Sequence, residues 1–575
     1  MPRRVPHLCA LRHIPVGLRA HTLRPVLETP TLPGAECLTL SRTRGPDRPL
    51  LNLTVGGLLH RTASRFPDRD AVVSCHQGQR LTWAELSEQA DRVARGLWAL
   101  GIRRGDRVGL WSTNCLEWVM MHMGTARAGA ALVNVNPAYR SHELQYTLTR
   151  SRIKALFLWS RDKRADYGEI LCRACYNLTL ELRHTVFFDS PEWLALLEAP
   201  GQLPDCVDSQ DVANIQYTSG TTGLPKGVML THHNIVNNGL FLAQGFHYTE
   251  RDRVCVPVPL FHCYGCVIGT MSALNTGAAL IFPNWTFDPR ATLQAVHAER
   301  CTSLYGVPAM YVAELALPDF TEFNLTSLRT GMMSGAPCPI ELMKRVLHDM
   351  HIPELVIAYG QTESSPVVTM SDADDSIEIR VNTVGRAMPQ TEIRIASTSD
   401  NTTVRVGQQG EVCARGYVVM KGYDAEPDAT KLAIDPDGWL HTGDLGVMHP
   451  DGCIHLTGRS RDIIIRGGEN IYPREIEEFL YTHPKVSEVQ VVGIPSERLG
   501  EIVVAWVRLA PNQTATQEEI RTFCRDQIAY FKIPEHIRFV TEFPATLSGK
   551  IQKYKMREFE IEARGLHDIA AARTA

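Results

Sequence analysis

From about Leu53 onward the apolar positions alternate between a helical and a strand period. Leu86, Ala90, Val93, Leu97 and Leu100 recur along one helical face, Thr82 with Glu85 three residues on makes a capping box before them, and Gly101 stops the helix. A short apolar run from Val108 to Trp111 predicts a buried strand, Trp118 to Ala128 a further helix, and Leu132 to Val135 a second strand. Short continuous apolar runs alternating with amphipathic helices are the pattern of parallel β-α units, so the fold class is α/β. Nearer the C-terminus, a helix from Arg474 to Leu480, strands from Glu488 to Val492 and Ile502 to Leu509, a helix capped by Thr516 and Glu519, and a strand from Ile537 to Val540 predict a compact α+β set beginning near Arg461.

Composition narrows the class. With 575 residues, 44% hydrophobic, 21% charged and 7% aromatic, the chain has an ordinary globular make-up and room for several folding units. Lys+Arg at 59 against Asp+Glu at 63 gives a formal charge of −4, so there is no broad positive field for nucleic acid and an anionic ligand has to be held locally. The 15 cysteines are odd in number and scattered, which fits reduced thiols; the CxxC pairs Cys172/Cys175 and Cys263/Cys266 are too far apart, and lack the flanking His pattern, for a zinc finger or knuckle. Val254 to Phe287 carries no charged side chain, but Pro257, Pro259, His262, Asn275 and its glycines fit buried strands and turns better than a membrane-spanning helix. Residues 1–27 hold five arginines and no acid, the charge bias of a transit segment, although Pro6, Pro15 and Pro25 fit a disordered leader equally.

The most informative segment is YTSGTTGLPKG, Tyr217 to Gly227, after a strand pattern at Ile215 and Tyr217. Thr218, Ser219, Thr221 and Thr222, with Gly220, Gly223, Gly227 and Lys226, make a loop whose amides and hydroxyls can surround a polyphosphate. Pro225 before Lys226 and Gly227 after it depart from the Walker pattern. A carboxylate beside a polyphosphate needs a cation between them, so Glu363 reads as a Mg²⁺ ligand. Thr362 offers a short hydroxyl, and an aspartate such as Asp444 can accept from two vicinal hydroxyls at once. Asp288 before Pro289 fits a helix N-cap, and His232 and His233 read as helix-start residues.

The loop resembles the signature of the adenylate-forming superfamily of acyl-CoA synthetases, luciferases and peptide-synthetase adenylation domains. Further motifs follow in that family's order, from about Leu53 to Lys555: PLFHCYG at 259–265, SGAPCP at 334–339, YGQTE at 359–363, GWLHTGD at 438–444, GRSRDIIIRGGENIYP at 458–473 and LSGKIQK at 547–553. The resemblance implies a large N-terminal domain, 51–460, with two β-α sheets and a β-barrel-like part, followed by a small mobile α+β domain, 461–565, between a leader, 1–50, and a tail, 566–575.

It also implies roles. Lys550, Glu363, Thr362 and Thr218 are the catalytic candidates, with Lys550 bridging carboxylate and phosphate. ATP or AMP is held by residues 218–223 and Lys226, by Gly335, Ala336 and Pro337 along the purine edge, by Tyr359 as a stacking ring, by Gly360 and Thr362, and by Asp444 and Arg459 at the ribose. His262, Tyr305, Gly306, Gly467 and Gly468 are assigned to the acyl and coenzyme A passages, and Arg461 to the hinge about which the small domain turns. The activity implied is an AMP-forming fatty acid:CoA ligase. Its co-substrates are ATP with Mg²⁺ and coenzyme A; no bound prosthetic group, nucleic-acid partner or transmembrane segment is implied. The wording of NVNPAYR at 134–140 and YGVPAMY at 305–311 is most similar to medium-chain fatty-acyl-CoA synthetases of the family-member-2 type. Delivery of an acyl or amino acid to a carrier protein, a luciferase-type oxygenase and a non-catalytic nucleotide-binding protein are the competing readings; the first is opposed by the absence of a phosphopantetheine site such as LGGxS. The location is cytoplasmic for a prokaryotic chain and the mitochondrial matrix if the Arg-rich segment directs import.

Overall fold

The computed structural model describes residues 38–569 apart from 164, 177–179, 204–206, 219–224, 337, 460–461, 467–468, 497, 526, 547–548 and 568. Residues 1–37 of the leader, Pro337, Arg461, Gly467, Gly468 and the loop Ser219–Gly223 therefore lie outside the described residues, as does the side chain of Arg459. The rest of the 1–50 leader does not stand apart, because Arg42–Arg44 pairs as a strand with Thr391–Ala396 of the large part.

Three sheets make up the large N-terminal part. The first has seven strands, in the order 422–423, 226–231, 212–218, 131–135, 107–111, 155–158 and 184–187. Its members from Val212–Thr218 to His184–Phe187 are parallel, while Lys226–Thr231 returns antiparallel. The second has nine strands, parallel through Glu354–Gly360, Thr330–Met333, Ser303–Gly306, Arg253–Cys255, Ala279–Phe282 and Asp70–Ser74, with antiparallel strands at both ends. The barrel-like part is a five-stranded antiparallel sheet whose edges are Arg42–Arg44 and Ile454–Arg459.

Local signals account for many of these elements. Helix Trp83–Ala99 begins with the expected reciprocal cap, Glu85 N donating to Thr82 Oγ1 and Thr82 N to Glu85 Oε2, and buries Leu86, Ala90, Val93 and Leu97. Helix Leu116–Ala128 is buried almost all round because it lies between layers, which erases its amphipathic signal. Asp288 caps helix Pro289–Glu299 by accepting from Ala291 N at 2.7 Å, and His232 opens helix His232–Gly245 with Thr231 as its cap.

The uncharged stretch departs from the strands and turns expected of it. Strands Arg253–Cys255 and Ala279–Phe282 bracket it, but its middle is a π-helix, Tyr264–Gly269, running into helix Thr270–Thr276, with Thr270 Oγ1 donating to Gly265 O. Among the described residues no helix is long and apolar enough to cross a membrane. Helix Pro308–Leu315 carries an exception to core chemistry: Glu314 is 1% exposed, neither carboxylate oxygen has a hydrogen-bond partner, and burial holds its carboxyl well above the usual range.

The small C-terminal part has its own core around Ile476, Leu480, Val489, Val503 and Ile537. Strands Val486–Ser496 and Gly500–Leu509 form its long antiparallel pair, His536–Phe539 adds a parallel strand, and helices Pro473–Tyr481 and Gln517–Cys524 complete the expected set. Helix Lys553–Arg564 is pinned by Glu560, which is fully buried and takes hydrogen bonds from Trp506, Arg538 and Arg564.

Candidate active site

Parallel strands of both large sheets deliver residues at their carboxyl ends, where open α/β sheets place ligands. Thr218 ends Val212–Thr218, Gly306 ends Ser303–Gly306, Gly335 and Ala336 follow Thr330–Met333, and Thr362 with Glu363 follow Glu354–Gly360. Gly360 has to be glycine: a Cβ there would lie 1.9 Å from Pro366 O. Glu363 sits in the short 3₁₀ turn Thr362–Ser364, and the amide of Met420 holds its backbone carbonyl at 2.9 Å.

Two side chains reach the Glu363 carboxylate and a third stands against one of them. Thr218 Oγ1 lies 3.4 Å from Oε1, and Tyr423 OH donates to the same oxygen at 3.0 Å. Lys226, the cross-strand partner of Thr218, places Nζ 5.2 Å from the Tyr423 ring centroid, a cation–π contact. The carboxylate and burial push the Tyr423 phenol above its ordinary range, burial being the larger cause, so the phenol stays a donor. These oxygen donors beside a lysine suit a phosphate with a hard cation, and Glu363 is the residue present that fits Mg²⁺. Tyr423 has no counterpart in the sequence reading. It lies in the two-residue strand Gly422–Tyr423, too short for any periodicity.

The ribose candidates meet across the antiparallel sheet. Asp444 and Arg459 are Cα partners on adjacent strands, and Tyr359 OH donates to Asp444 Oδ2 at 2.8 Å. Tyr359 thus has a polar role beside the stacking role expected of its ring.

Thr362 Oγ1 lies 3.7 Å from Cys263 Sγ, which joins the PLFHCYG segment to the YGQTE turn. His262 Nδ1 accepts from Tyr264 N at 3.3 Å; burial, then the nearby Lys550 charge, lower the imidazole to about 4, so it is neutral at physiological pH. Tyr305 lies in an aromatic cluster with Phe246, Tyr248 and Tyr264, and Tyr264 OH donates to Gly306 O. The two CxxC pairs sit on separate elements, Cys172 and Cys175 on helix Tyr167–Cys175 and Cys266 under the amides of Gln216 and Asn134.

Lys550 arrives on a tight hairpin. Ala545 and Ile551 bridge its base, Thr546 N donates to Lys550 O and Lys550 N to Thr546 Oγ1. At the tip Gly549 has φ +79°, and a Cβ there would lie 2.7 Å from Val307 Cγ2. The hairpin of the small part therefore rests on the large part beside His262. Farther back, Arg474 Nη1 donates to Leu456 O at 3.1 Å, a second link between the two parts.

The chain matches the AMP-binding enzyme family over residues 59–424 and the AMP-binding enzyme C-terminal domain over 475–550. It is 46% identical to YngI of Bacillus subtilis, assigned by its name to the acyl-CoA synthetases, over 89% of this chain and 98% of that one. It is 42% identical to the mitochondrial medium-chain acyl-CoA ligase ACSF2 of Homo sapiens over 90% of this chain and 89% of that one. The ATP-bound crystal structure of MatB from Rhodopseudomonas palustris superposes with a TM-score of 0.78 at 30% identity, covering 88% of this chain and 99% of MatB. On sequence, fold and the convergence of its motifs at the strand ends, the chain belongs to the AMP-binding enzyme family.

Proposed function

We propose that the protein is an AMP-forming acid–thiol ligase that joins a medium-chain fatty acid to coenzyme A. The observation that carries this reading is the meeting of the Thr218, Lys226, Glu363 and Tyr423 cluster with Tyr359–Asp444 on one side and the Lys550 hairpin on the other.

A carboxylate is a poor acyl donor because its leaving group would be oxide. In the first half-reaction its oxygen attacks the α-phosphorus of ATP, the bond to the β-phosphate oxygen breaks and pyrophosphate leaves, giving a mixed anhydride. Both reactants are anions, so the step needs positive charge set in place beforehand and shielded from water. Lys550 supplies it between carboxylate and α-phosphate, Lys226 and the loop 218–223 hold the outer phosphates, Thr362 faces the α-phosphate, and Asp444 with Arg459 holds the ribose. Glu363 would hold Mg²⁺, which neutralises phosphate charge when bound. In the second half-reaction the coenzyme A thiol loses its proton and attacks the acyl carbon, and AMP leaves. For this we assign residues 51–460 and 461–565 to two domains, with rotation at Arg461 withdrawing Lys550 and bringing Gly467 and Gly468 to the pantetheine passage. His262, Tyr305 and Gly306 are assigned to the acyl side.

The medium-chain assignment is supported by the likeness to ACSF2. The mitochondrial location in that relative's name and the arginines of residues 1–27 support import into mitochondria, which a fusion of residues 1–50 to a reporter reads directly. The deciding experiment is thioester formation with ATP, coenzyme A and acids of graded chain length. A maximum at medium length is expected; release of acyl-AMP without thioester would reject the ligase reading, and a maximum at short or very long acids would reject the substrate class.

A further inference from the structure

The turn that presents Asp444 is built by a break in strand register. Strand Gln409–Gly416 pairs Glu411 with Leu445 but Cys413 with His441, so Thr442, Gly443 and Asp444 together face only Val412. Such a bulge frees backbone groups from the ladder and re-aims side chains. Thr442 Oγ1 takes up the slack by donating to Val412 O at 2.6 Å and accepting from Asp444 N at 3.1 Å, while Gly443 adopts φ +72°.

Glu411 closes the bulge. Its Oε1 accepts from Gly443 N at 2.8 Å, and its Oε2 lies 2.8 Å from His441 Nδ1. His441 Nε2 faces Asp435 Oδ2 at 3.5 Å, and Asp435 in turn meets Arg394 at 3.2 Å. The imidazole therefore lies between two carboxylates, with the Cys413 sulfur 3.6 Å from Nδ1. Contact with that sulfur and with Glu411 raises it to about 10, which makes it a cation at physiological pH. Glu411, Cys413 and His441 are close enough together to hold a metal ion, but the Glu411 bond to Gly443 and the two carboxylates around His441 account for the cluster by charge pairing.

We propose that Glu411 and His441 are positioning residues for nucleotide recognition: the Glu411–His441 pair braces the 442–444 bulge and so keeps Asp444 against Tyr359, where it grips the ribose. Neither side chain contacts substrate in this scheme; both act through Asp444. The proposal rests on the reading of Asp444 as the ribose residue, and the experiment separates the two.

The test compares ATP with 2′,3′-dideoxy-ATP as substrate in wild type, Asp444→Asn, His441→Gln, Glu411→Gln and His441→Lys. In wild type, ATP should be preferred. In both His441→Gln and Glu411→Gln the KM for ATP should rise about tenfold with the KM values for acid and coenzyme A unchanged, and the preference for ATP should fall to the Asp444→Asn level. His441→Lys, which keeps a cation, should restore part of the preference. Glu411→Gln keeps an acceptor for Gly443 and carries the test if His441→Gln fails to fold. If Asp444→Asn loses the ATP preference while the other variants keep it, or lose rate equally toward all substrates, the positioning role is overturned. If Asp444→Asn itself keeps the preference, the ribose assignment falls, and the positioning role with it.

Discussion

The two parts of the molecule hold their shares of the site by different means. In the large part the functional groups come from strands of all three sheets, parallel and antiparallel, and are tied to one another, Tyr359 to Asp444, Tyr423 and Thr218 to Glu363, Thr362 to Cys263. In the small part a single lysine stands on an exposed hairpin, and the bracing lies behind it. Lys553, three residues on, pairs at 2.6 Å with Glu477, whose side chain is 5% exposed and whose Oε1 also accepts from Val491 N. A lysine on the first residue of a helix opposes the helix dipole, and here the buried carboxylate offsets it. Groups that keep their place are locked to each other. Lys550, proposed to move with the small part, is carried by its own hairpin, which meets the large part at Val307 and near His262.

The sharpest way to break this contrast is Lys550→Ala. ATP–pyrophosphate exchange should fall by at least about a hundredfold while thioester formation from supplied acyl-AMP is largely kept. Equal loss of both half-reactions would mean that the hairpin is not specific to the first. In the locked cluster, Glu363→Gln should lower exchange about thirtyfold and shift its Mg²⁺ dependence to higher concentration; an unchanged metal dependence would remove Glu363 from that role. Lys553→Met tests the bracing: exchange should fall about tenfold through misplacement of Lys550, with Lys553→Arg recovering much of it and the thioester half-reaction unaffected. A matched loss in both half-reactions would reduce Lys553 to a fold-stabilising residue.

The smallest effect on catalysis is expected at Glu314, a buried carboxyl of the large part with no hydrogen-bond partner. The native chain retains a proton there that the unfolded chain releases above the ordinary glutamate range, so the native state loses stability as pH rises through that interval. Glu314→Met should leave kcat unchanged and stabilise the protein by about 1–3 kcal/mol near pH 8, with the gain in Tm shrinking as pH is lowered. A gain that does not vary with pH would show that the carboxyl is not the source of the cost.

The contiguous motifs were legible in the sequence because each places its chemistry within a few residues of a strand end. Thr218 ends a strand as the pattern at Ile215 and Tyr217 predicts, Glu363 and Thr362, singled out by their chemistry and the resemblance, sit in the turn after Glu354–Gly360, and the cap residues Thr82, Asp288 and Thr516 all hold their helices. Less visible was whatever depends on distant partners. Tyr423 reaches Glu363 across 60 positions, and its two-residue strand has no pattern to read. The strand expected at 488–492 runs over Val486–Ser496, because polar residues such as Glu488, paired with Arg508, interrupt the apolar run without interrupting the ladder. The π-helix Tyr264–Gly269 was hidden for the opposite reason, since a segment buried on every side has no polar face to mark its period.

The bond from Arg474 to the Leu456 carbonyl has a consequence for pacing. Any swing of the small domain away from the strand holding Leu456 has to release it, and its acceptor is main chain, which no substitution removes. The strength of this catch is thus written in one side chain alone. If the small domain turns as proposed, a shorter or uncharged residue at 474 would shift the interval between making the anhydride and consuming it without altering any group that touches a reactant.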